Sequence, residues 1–228
     1  MSKNLSPNIA VIKLSALGDI VHAVVILQFI VKHLPQAKIT WFVDAKFSEI
    51  LFLCPQISRV VSLPLKNGEY KKSLQLIASA KQEGEFDYVI DLQGLIKSAA
   101  VAKLLGKNGY GFDKFSAKEP LAALFYRHKF SCDYAENIIL RNLKLTAFAL
   151  GFSFSEDEIL SKQPCFSASQ SKSQSLKKKI LIAPFASEPS KIYDKFGDVI
   201  ALLDEPQNEI FVCFNGEKEE KEALNLIK

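Results

Sequence analysis

Four segments set the terms for this chain: IAVIKL (residues 9–14), ITWFV (39–43), RVVSL (59–63) and DYVIDL (87–92). Each is short and rich in β-branched or aromatic residues, and each is apolar without a break at its centre. A strand with one face in water alternates apolar and polar side chains, whereas one covered on both faces need not. Between these segments lie stretches of helical character: 19–34, apolar almost all round; 47–53, closed by Cys54-Pro55; a helix ending near Glu83 after the basic loop PLKNGEYKK; and 95–105. Strand and helix alternate with short connections, which predicts an α/β fold built on a doubly wound parallel sheet. From Ser116 the pattern turns helical, with KEPLAALFYR placing proline for a first turn and a second helix over 134–150 ending at Gly151. The polar stretch SASQSKSQS (167–175) reads as a linker. After it the alternation resumes, with strands over 179–183 and 209–214 and helices over 193–203 and 218–228. The expected organisation is a first domain over 1–166, a linker over 167–176 and a partial second domain over 177–228. Two strands and two helices leave a parallel sheet with uncovered edges, so a C-terminally truncated chain is expected.

Composition narrows the classes. At 228 residues with 48% hydrophobic content, the chain has ample material for a core. Its longest nearly uncharged stretch, 20–31, is short of the ~20 residues a membrane span needs, and the N-terminus has no apolar export segment, so a cytoplasmic location is expected. Cys54, Cys132, Cys165 and Cys213 are scattered with no CxxC pair, the pattern of free buried thiols rather than a disulfide framework or zinc site. The net charge of +4 is mild, but cations bunch at Lys66, Lys71 and Lys72, at Arg127, His128 and Lys129, and at Lys177, Lys178 and Lys179. Such bunching suits an anionic ligand or membrane face, or a solvated surface. No nucleic-acid motif accompanies it.

The most informative turn is KLSALGDIVHA (13–23), where Gly18-Asp19 falls between a buried strand and a buried helix. In doubly wound sheets ligands bind outside the carboxyl ends of strands. The structural reading of Asp19 is a helix N-cap, contributing ~1 kcal/mol, with glycine easing the turn; that role does not preclude a second one. A dinucleotide fingerprint needs several glycines here, and this turn has one, with Leu17 and Asp19 where phosphates would lie. GLIKS (94–98) has a Lys-Ser pair but not the P-loop spacing.

Together, SALGDIVHA, DLQGLIKSA (91–99) and KEPLAALFY (118–126) resemble the bacterial lipopolysaccharide heptosyltransferases of glycosyltransferase family 9, and the heptosyltransferase I branch in particular. The resemblance runs through essentially the whole chain and implies a GT-B fold: two Rossmann-like domains, the second of them incomplete here. It implies transfer of L-glycero-D-manno-heptose from ADP-heptose to the Kdo residue of the lipid A inner core, with inversion, without metal or cofactor, and with peripheral contact at the cytoplasmic face of the inner membrane. Asp19 falls on the family's catalytic acid position and would serve as general base, the ionised carboxylate being favoured at a helix N-terminus. Gly18, Ser187 and Lys191 in APFASEPSK, and Gly216, fall at donor positions. Lys66, Lys71, Lys72, Gln93, Lys97 and Lys118 are assigned to a polyanionic acceptor.

The chain departs from the family at three points. Lysine stands at 118 where relatives often carry arginine, which keeps the charge but loses the bidentate fork. HAVV replaces a HALP-like ending of the first motif, a change expected to alter helix packing. An Asp-x-Gly-x-x-His segment has no counterpart before Lys228, so weak or absent turnover is expected of this 228-residue form. His22 reads equally as a buried structural histidine or a catalytic one. The alternatives are a heptosyltransferase II-like enzyme of the same family, a non-catalytic nucleotide-binding module of flavodoxin-like shape, and an oxidoreductase, which the glycine pattern disfavours.

Overall fold

The computed structural model describes residues 6–65, 67–167, 176–186 and 189–227. The chain divides into two compact units, Met1–Ala168 and Ser169–Lys228. Most of the stretch read as a linker, residues 168–175, lies outside the described residues.

The first unit is built on a parallel sheet of six strands: β1 (Asn8–Ile12), β2 (Lys38–Asp44), β3 (Arg59–Leu63), β4 (Tyr88–Asp91), β5 (Gly109–Phe112) and β6 (His128–Phe130), in the order β3-β2-β1-β4-β5-β6. Every pairing is parallel. The unbroken apolar runs have a direct cause. Ile9 and Val11 join one buried cluster with Trp41 and Ile90, while Ala10 and Ile12 join another with Phe42 and Val89. Alternate residues therefore meet helices on opposite faces of the sheet. Helices α1 (Leu17–Ala23), α2 (Ile26–His33) and α5 (Ile138–Leu150) cover the first face, and α3 (Tyr70–Gln82) and α4 (Ile96–Leu105) the second.

Several elements differ from the sequence expectation. The single helix over 19–34 is two helices, parted at Val24-Val25, where Leu27 N–H bonds the Val24 carbonyl at 3.0 Å. Two β-branched residues in succession crowd the turn before them, and the backbone tightens into a three-residue repeat. Residues 47–53 form 3-10 turns rather than an α-helix. KEPLAALFY likewise yields only a 3-10 turn over Pro120–Phe125. The cations Arg127, His128 and Lys129 flank or occupy the edge strand β6, which charge alone concealed. The second helix of that region begins at Ile138, capped by the Asn137 side chain, and α6 (Glu156–Leu160) follows with Ser155 as its cap. Cys54 and Cys165 are buried, Cys132 is half-buried and Cys213 is exposed; all are free, and burial pushes the Cys54 thiol up to about 12.

In the second unit, β7 (Lys178–Ile182) pairs in parallel with β8 (Asn208–Val212), accompanied by α7 (Phe196–Leu203) and α8 (Gly216–Leu226). Ile182, Ile200 and Ala223 are its buried apolar residues among those described. No helix among the described residues is long and apolar enough to cross a membrane.

Candidate functional site

Helix α1 opens at Leu17, two residues earlier than the sequence suggests, so Asp19 is its third residue and Ala16 the N-cap. The Asp19 Oδ2 atom reaches back to accept the Ala16 N–H at 3.3 Å. This corrects the expected N-cap role: the carboxylate still satisfies an orphan donor, from inside the first turn. Gly18 has no unusual φ, and a Cβ built on it would meet nothing within 4 Å. The turn therefore does not need glycine for its own geometry.

The neighbouring turn after β4 is tied to this one. Gln93 is buried, and its Oε1 accepts both Leu14 N–H at 3.0 Å and Ser15 N–H at 3.1 Å, which leaves the NH2 end of that amide as donor. Asp91 is fully buried and accepts the Tyr126 hydroxyl at 2.6 Å and the Gln93 N–H at 2.8 Å. Burial pushes the Asp91 carboxyl up, with these hydrogen bonds pulling the other way. Gly94 has φ +68 and lies so close to the next segment that a Cβ would stand 3.4 Å from Lys118 N, so both conformation and space select glycine here. Its carbonyl accepts Glu119 N–H at 3.0 Å, and Glu119 Oε2 accepts Ile96 N–H, at the start of α4, at 2.6 Å. The three segments SALGDIVHA, DLQGLIKSA and KEPLAALFY, up to a hundred residues apart in sequence, thus form one hydrogen-bonded assembly.

Together with Lys13, the end of β5 and the start of α5 they line a cavity of about 170 Å³, whose wall is Lys13, Asp19, Leu92, Gln93, Phe112, Lys118, Tyr134, Ile138 and Arg141. It sits beyond the carboxyl ends of β1 and β4, where the strand order reverses, the place at which doubly wound sheets bind ligands. Lys13 is buried and donates from Nζ to the Leu92 carbonyl at 3.0 Å. Burial lowers its pKa, against the pull of the Asp19 and Asp91 carboxylates. Arg141 is buried on α5 with its guanidinium 4.8 Å from the Phe112 ring and 4.7 Å from the Tyr134 ring, and it donates from Nη2 to the Ser116 carbonyl.

Of the residues expected to meet the acceptor, Gln93 and Lys118 join Asp19 in this cavity. Lys97 does not; it lies over the Tyr70 ring at 5.9 Å and lines an apolar groove of about 580 Å³ between α3 and α4. Lys71 and Lys72 are exposed on the first turn of α3, Lys72 pairing with Glu69 at 3.4 Å. Lys66 and Ser187 lie outside the described residues. In the second unit Lys191 is exposed at the end of a 3-10 turn, and Gly216 opens α8 with φ +79. His22 is exposed, so the buried-histidine reading is corrected. Sequence reasoning missed Lys13, Tyr134 and Arg141 as lining residues. The signal for the first was a lone cation inside the apolar run IAVIKL, and for Arg141 a cation among the apolar residues of α5.

The family model described as glycosyltransferase family 9 (heptosyltransferase) matches residues 76–228. The chain belongs to this family. Lipopolysaccharide heptosyltransferase 1 of Campylobacter coli is 40% identical over 96% of this chain and 68% of its own length. The Pseudomonas aeruginosa protein of the same name is 32% identical over 65% of this chain and 44% of its own. The fold matches that of E. coli heptosyltransferase WaaC, solved with ADP-2-deoxy-2-fluoro heptose, with a TM-score of 0.82 at 24% identity, covering 96% of this chain and 72% of that one. E. coli ADP-heptose lps heptosyltransferase II follows at TM-score 0.66 and 18% identity, over 96% of this chain and 67% of that one. These structural matches establish the GT-B architecture expected from the family resemblance. Kinship with heptosyltransferase 1 rests on the sequence relatives.

Proposed function

We propose that this family 9 chain belongs to an inverting transferase that moves L-glycero-D-manno-heptose from ADP-heptose to the Kdo of lipid A, with Asp19 as general base. The observation that carries the reading is the convergence of three separated family segments on one switch-point cavity with the Asp19 carboxylate in its wall. An acceptor hydroxyl oxygen attacks the anomeric carbon of the donor, the bond from that carbon to the phosphate oxygen breaks, and ADP departs with the electron pair. The hydroxyl proton passes to Asp19, whose negative charge also steadies the cationic character that builds on the anomeric carbon. The capping bond from Ala16 fixes one carboxylate oxygen and leaves the other for the acceptor. Lys118 and the Gln93 amide donate to the acceptor. Ser187, Lys191 and Gly216 in the second unit are assigned to the donor phosphates, and Gly18 to the space that the donor sugar occupies.

Contact with an anionic bilayer is assigned to the α3–α4 groove, where Leu74, Ile96 and Leu104 are exposed beside Lys71, Lys97 and Lys103. The test mixes the full-length protein with ADP-heptose and Kdo-lipid A in anionic vesicles, with an acceptor already bearing the first heptose, UDP-sugars and NAD as controls. Heptosylated product from Kdo-lipid A alone supports the reading. Transfer only to the pre-heptosylated acceptor redirects it to the second-heptose enzyme, and donor binding without any product redirects it to a non-catalytic module.

A further inference from the structure

Helices α3 and α4 pack side by side on the second face of the sheet, and the groove of about 580 Å³ between them has the form of a trough. Its floor is buried, at Leu65, Ser73, Ile77 and Val101. Its rims are exposed, with Tyr70 and Leu74 on α3 and Ile96 and Leu104 on α4. Ile96, Ala100 and Leu104 recur at every fourth residue and so form one row about 12 Å long on α4. Ser73 and Ala100 fall part-way along the two facing helices, and their small side chains leave the middle open. A face that only rests on a bilayer needs outward apolar side chains and no hollow. Here the apolar side chains surround a hollow, and its volume lies in the range of about 300–1,000 Å³ typical of sites for single small molecules.

Position and charge say what fills it. Helix α3 follows β3 and α4 follows β4, so Tyr70 and Ile96 bring one end of the trough to the carboxyl ends of the strands, the same end of the sheet as the Asp19 cavity. Glu119 stands in the trough wall and its neighbour Lys118 in the cavity wall, so a single residue step separates the two. The Glu119 carboxylate accepts the Ile96 N–H, whereas Lys97 over the Tyr70 ring and Lys71 on the first turn of α3 form no ion pair among the described residues. An apolar trough with free cations at its mouth is complementary to a single alkyl chain with an anionic head. From this we infer that the α3–α4 trough takes one acyl chain of the acidic glycolipid acceptor, drawn out of the bilayer, with Lys97 and Lys71 at its head-group end. The identity of that lipid rests on the proposed transferase reading. An acceptor with its sugar at Asp19 and one chain across the Lys118-Glu119 step is held at two points, which limits the orientations open to the attacking hydroxyl.

The experiment titrates the full-length protein with octyl, decyl and dodecyl phosphate, each below its critical micelle concentration, and reads affinity and stoichiometry by calorimetry. One chain should bind per protein, about tenfold more tightly for each added pair of methylenes, until the chain outruns the trough. Ala100→Trp, which fills the middle of the trough, should abolish binding, with thermal melting to verify folding. Leu74→Gln, on the exposed rim, should weaken it several-fold and serves where Ala100→Trp lowers folding. Lys97→Met should erase the preference for decyl phosphate over decanol. Transfer is then compared between Kdo-lipid A and the same sugars stripped of their acyl chains. The acylated acceptor should have a KM at least about tenfold lower, an advantage that Ala100→Trp removes while leaving turnover of the stripped acceptor unchanged. Binding of anionic vesicles without binding of the monomeric phosphates would reduce the trough to a bilayer contact and overturn the inference. Dimerisation that Leu74→Gln abolishes, without amphiphile binding, would overturn it in favour of a second copy, and equal binding by wild type and both trough variants overturns it outright. Saturable chain binding with no transfer to either acceptor would leave the trough standing and remove the transferase reading. Equal transfer to both acceptors would do the reverse.

Discussion

Two turns leave the carboxyl ends of the two central strands, and they are built alike. In each, the third residue of the following helix reaches back to the N–H at the helix start: Asp19 to Ala16 at 3.3 Å, and Ser98 Oγ to Leu95 at 3.1 Å. They differ in where they keep their acid. After β1 the carboxylate lies beyond the turn, half-exposed in the cavity wall. After β4 it lies before the turn, at Asp91, fully buried and bound to Tyr126. The second turn shows that a serine hydroxyl can satisfy the capping N–H. The capping bond therefore explains a polar residue at 19 but not a charged one; the charge acts on the buried Lys13 and on the cavity.

The sharpest way to break this comparison is to give the first turn the second turn's capping residue. Asp19→Ser keeps a hydroxyl within reach of the Ala16 N–H, so the melting temperature should stay close to that of wild type. Transfer should fall by about 10²- to 10⁴-fold in kcat, or ~3–5 kcal/mol of barrier, with ADP-heptose affinity nearly unchanged. Turnover within a few-fold of wild type would leave the two turns equivalent and remove Asp19 as base.

The second turn is tested through its support. Tyr126 reaches Asp91 by lying over Gly111, where a Cβ would stand 2.4 Å from the ring. The ring is buried and hydrogen-bonded, so it cannot swing aside freely. Gly111→Ala should cost roughly 2–3 kcal/mol by overpacking, read as a lower midpoint in denaturant. An unchanged midpoint would mean that the Tyr126–Asp91 contact is not needed to hold the turn.

Tyr126→Phe is gentler, removing one hydroxyl and leaving Asp91 with fewer donors, at a cost of ~1–2 kcal/mol. Its signature lies in pH. Because burial raises the folded-state pKa of Asp91 above its ordinary 3.8, the protonated form is favoured on folding. That contribution is fully present below 3.8 and is lost as pH rises through the folded value. Loss of the Tyr126 bond, which pulled the value down, extends the loss to higher pH. The gap in melting temperature between wild type and variant should therefore widen as pH rises above 3.8. A gap constant with pH would mean that Asp91 does not titrate differently in the two proteins.

The sequence made four of the six strands legible because β1 to β4 are apolar toward both faces and so read as unbroken apolar runs. It did not reveal β5 and β6, whose GYGF and HKF are too short and too mixed for that pattern. Lys71 and Lys72 read as acceptor contacts from a basic loop and Lys97 from a matched family segment; Lys97 lines the apolar groove between α3 and α4, and none of the three lines the cavity with Asp19. Lys13 and Arg141 were hidden for the opposite reason. Lys13 is a lone cation at the end of an apolar run and Arg141 one of two cations in a mostly apolar helix, and only the packing of α5 against α1, β4 and β5 brings them together.

The smallest expected effect separates structure from function most cleanly. Gly18 sits at the second position of α1 with ordinary backbone angles and open space where a side chain would begin. Nothing in the fold asks for glycine, and in a helix alanine is favoured over it by ~0.5–1 kcal/mol. Gly18→Ala should therefore raise the melting temperature slightly. Were position 18 as far from the cavity as the corresponding Lys97 of the second helix, the gain would come at no cost in turnover. If the open space beside Asp19 is where the donor sugar lies, the added methyl group intrudes there, and the KM for ADP-heptose should rise several-fold while the protein grows more stable. Paired melting and kinetic measurements on this variant decide the matter: greater stability with unchanged KM would take Gly18 out of the donor site, whereas greater stability with weaker donor use means that the glycine is kept for the ligand and not for the chain.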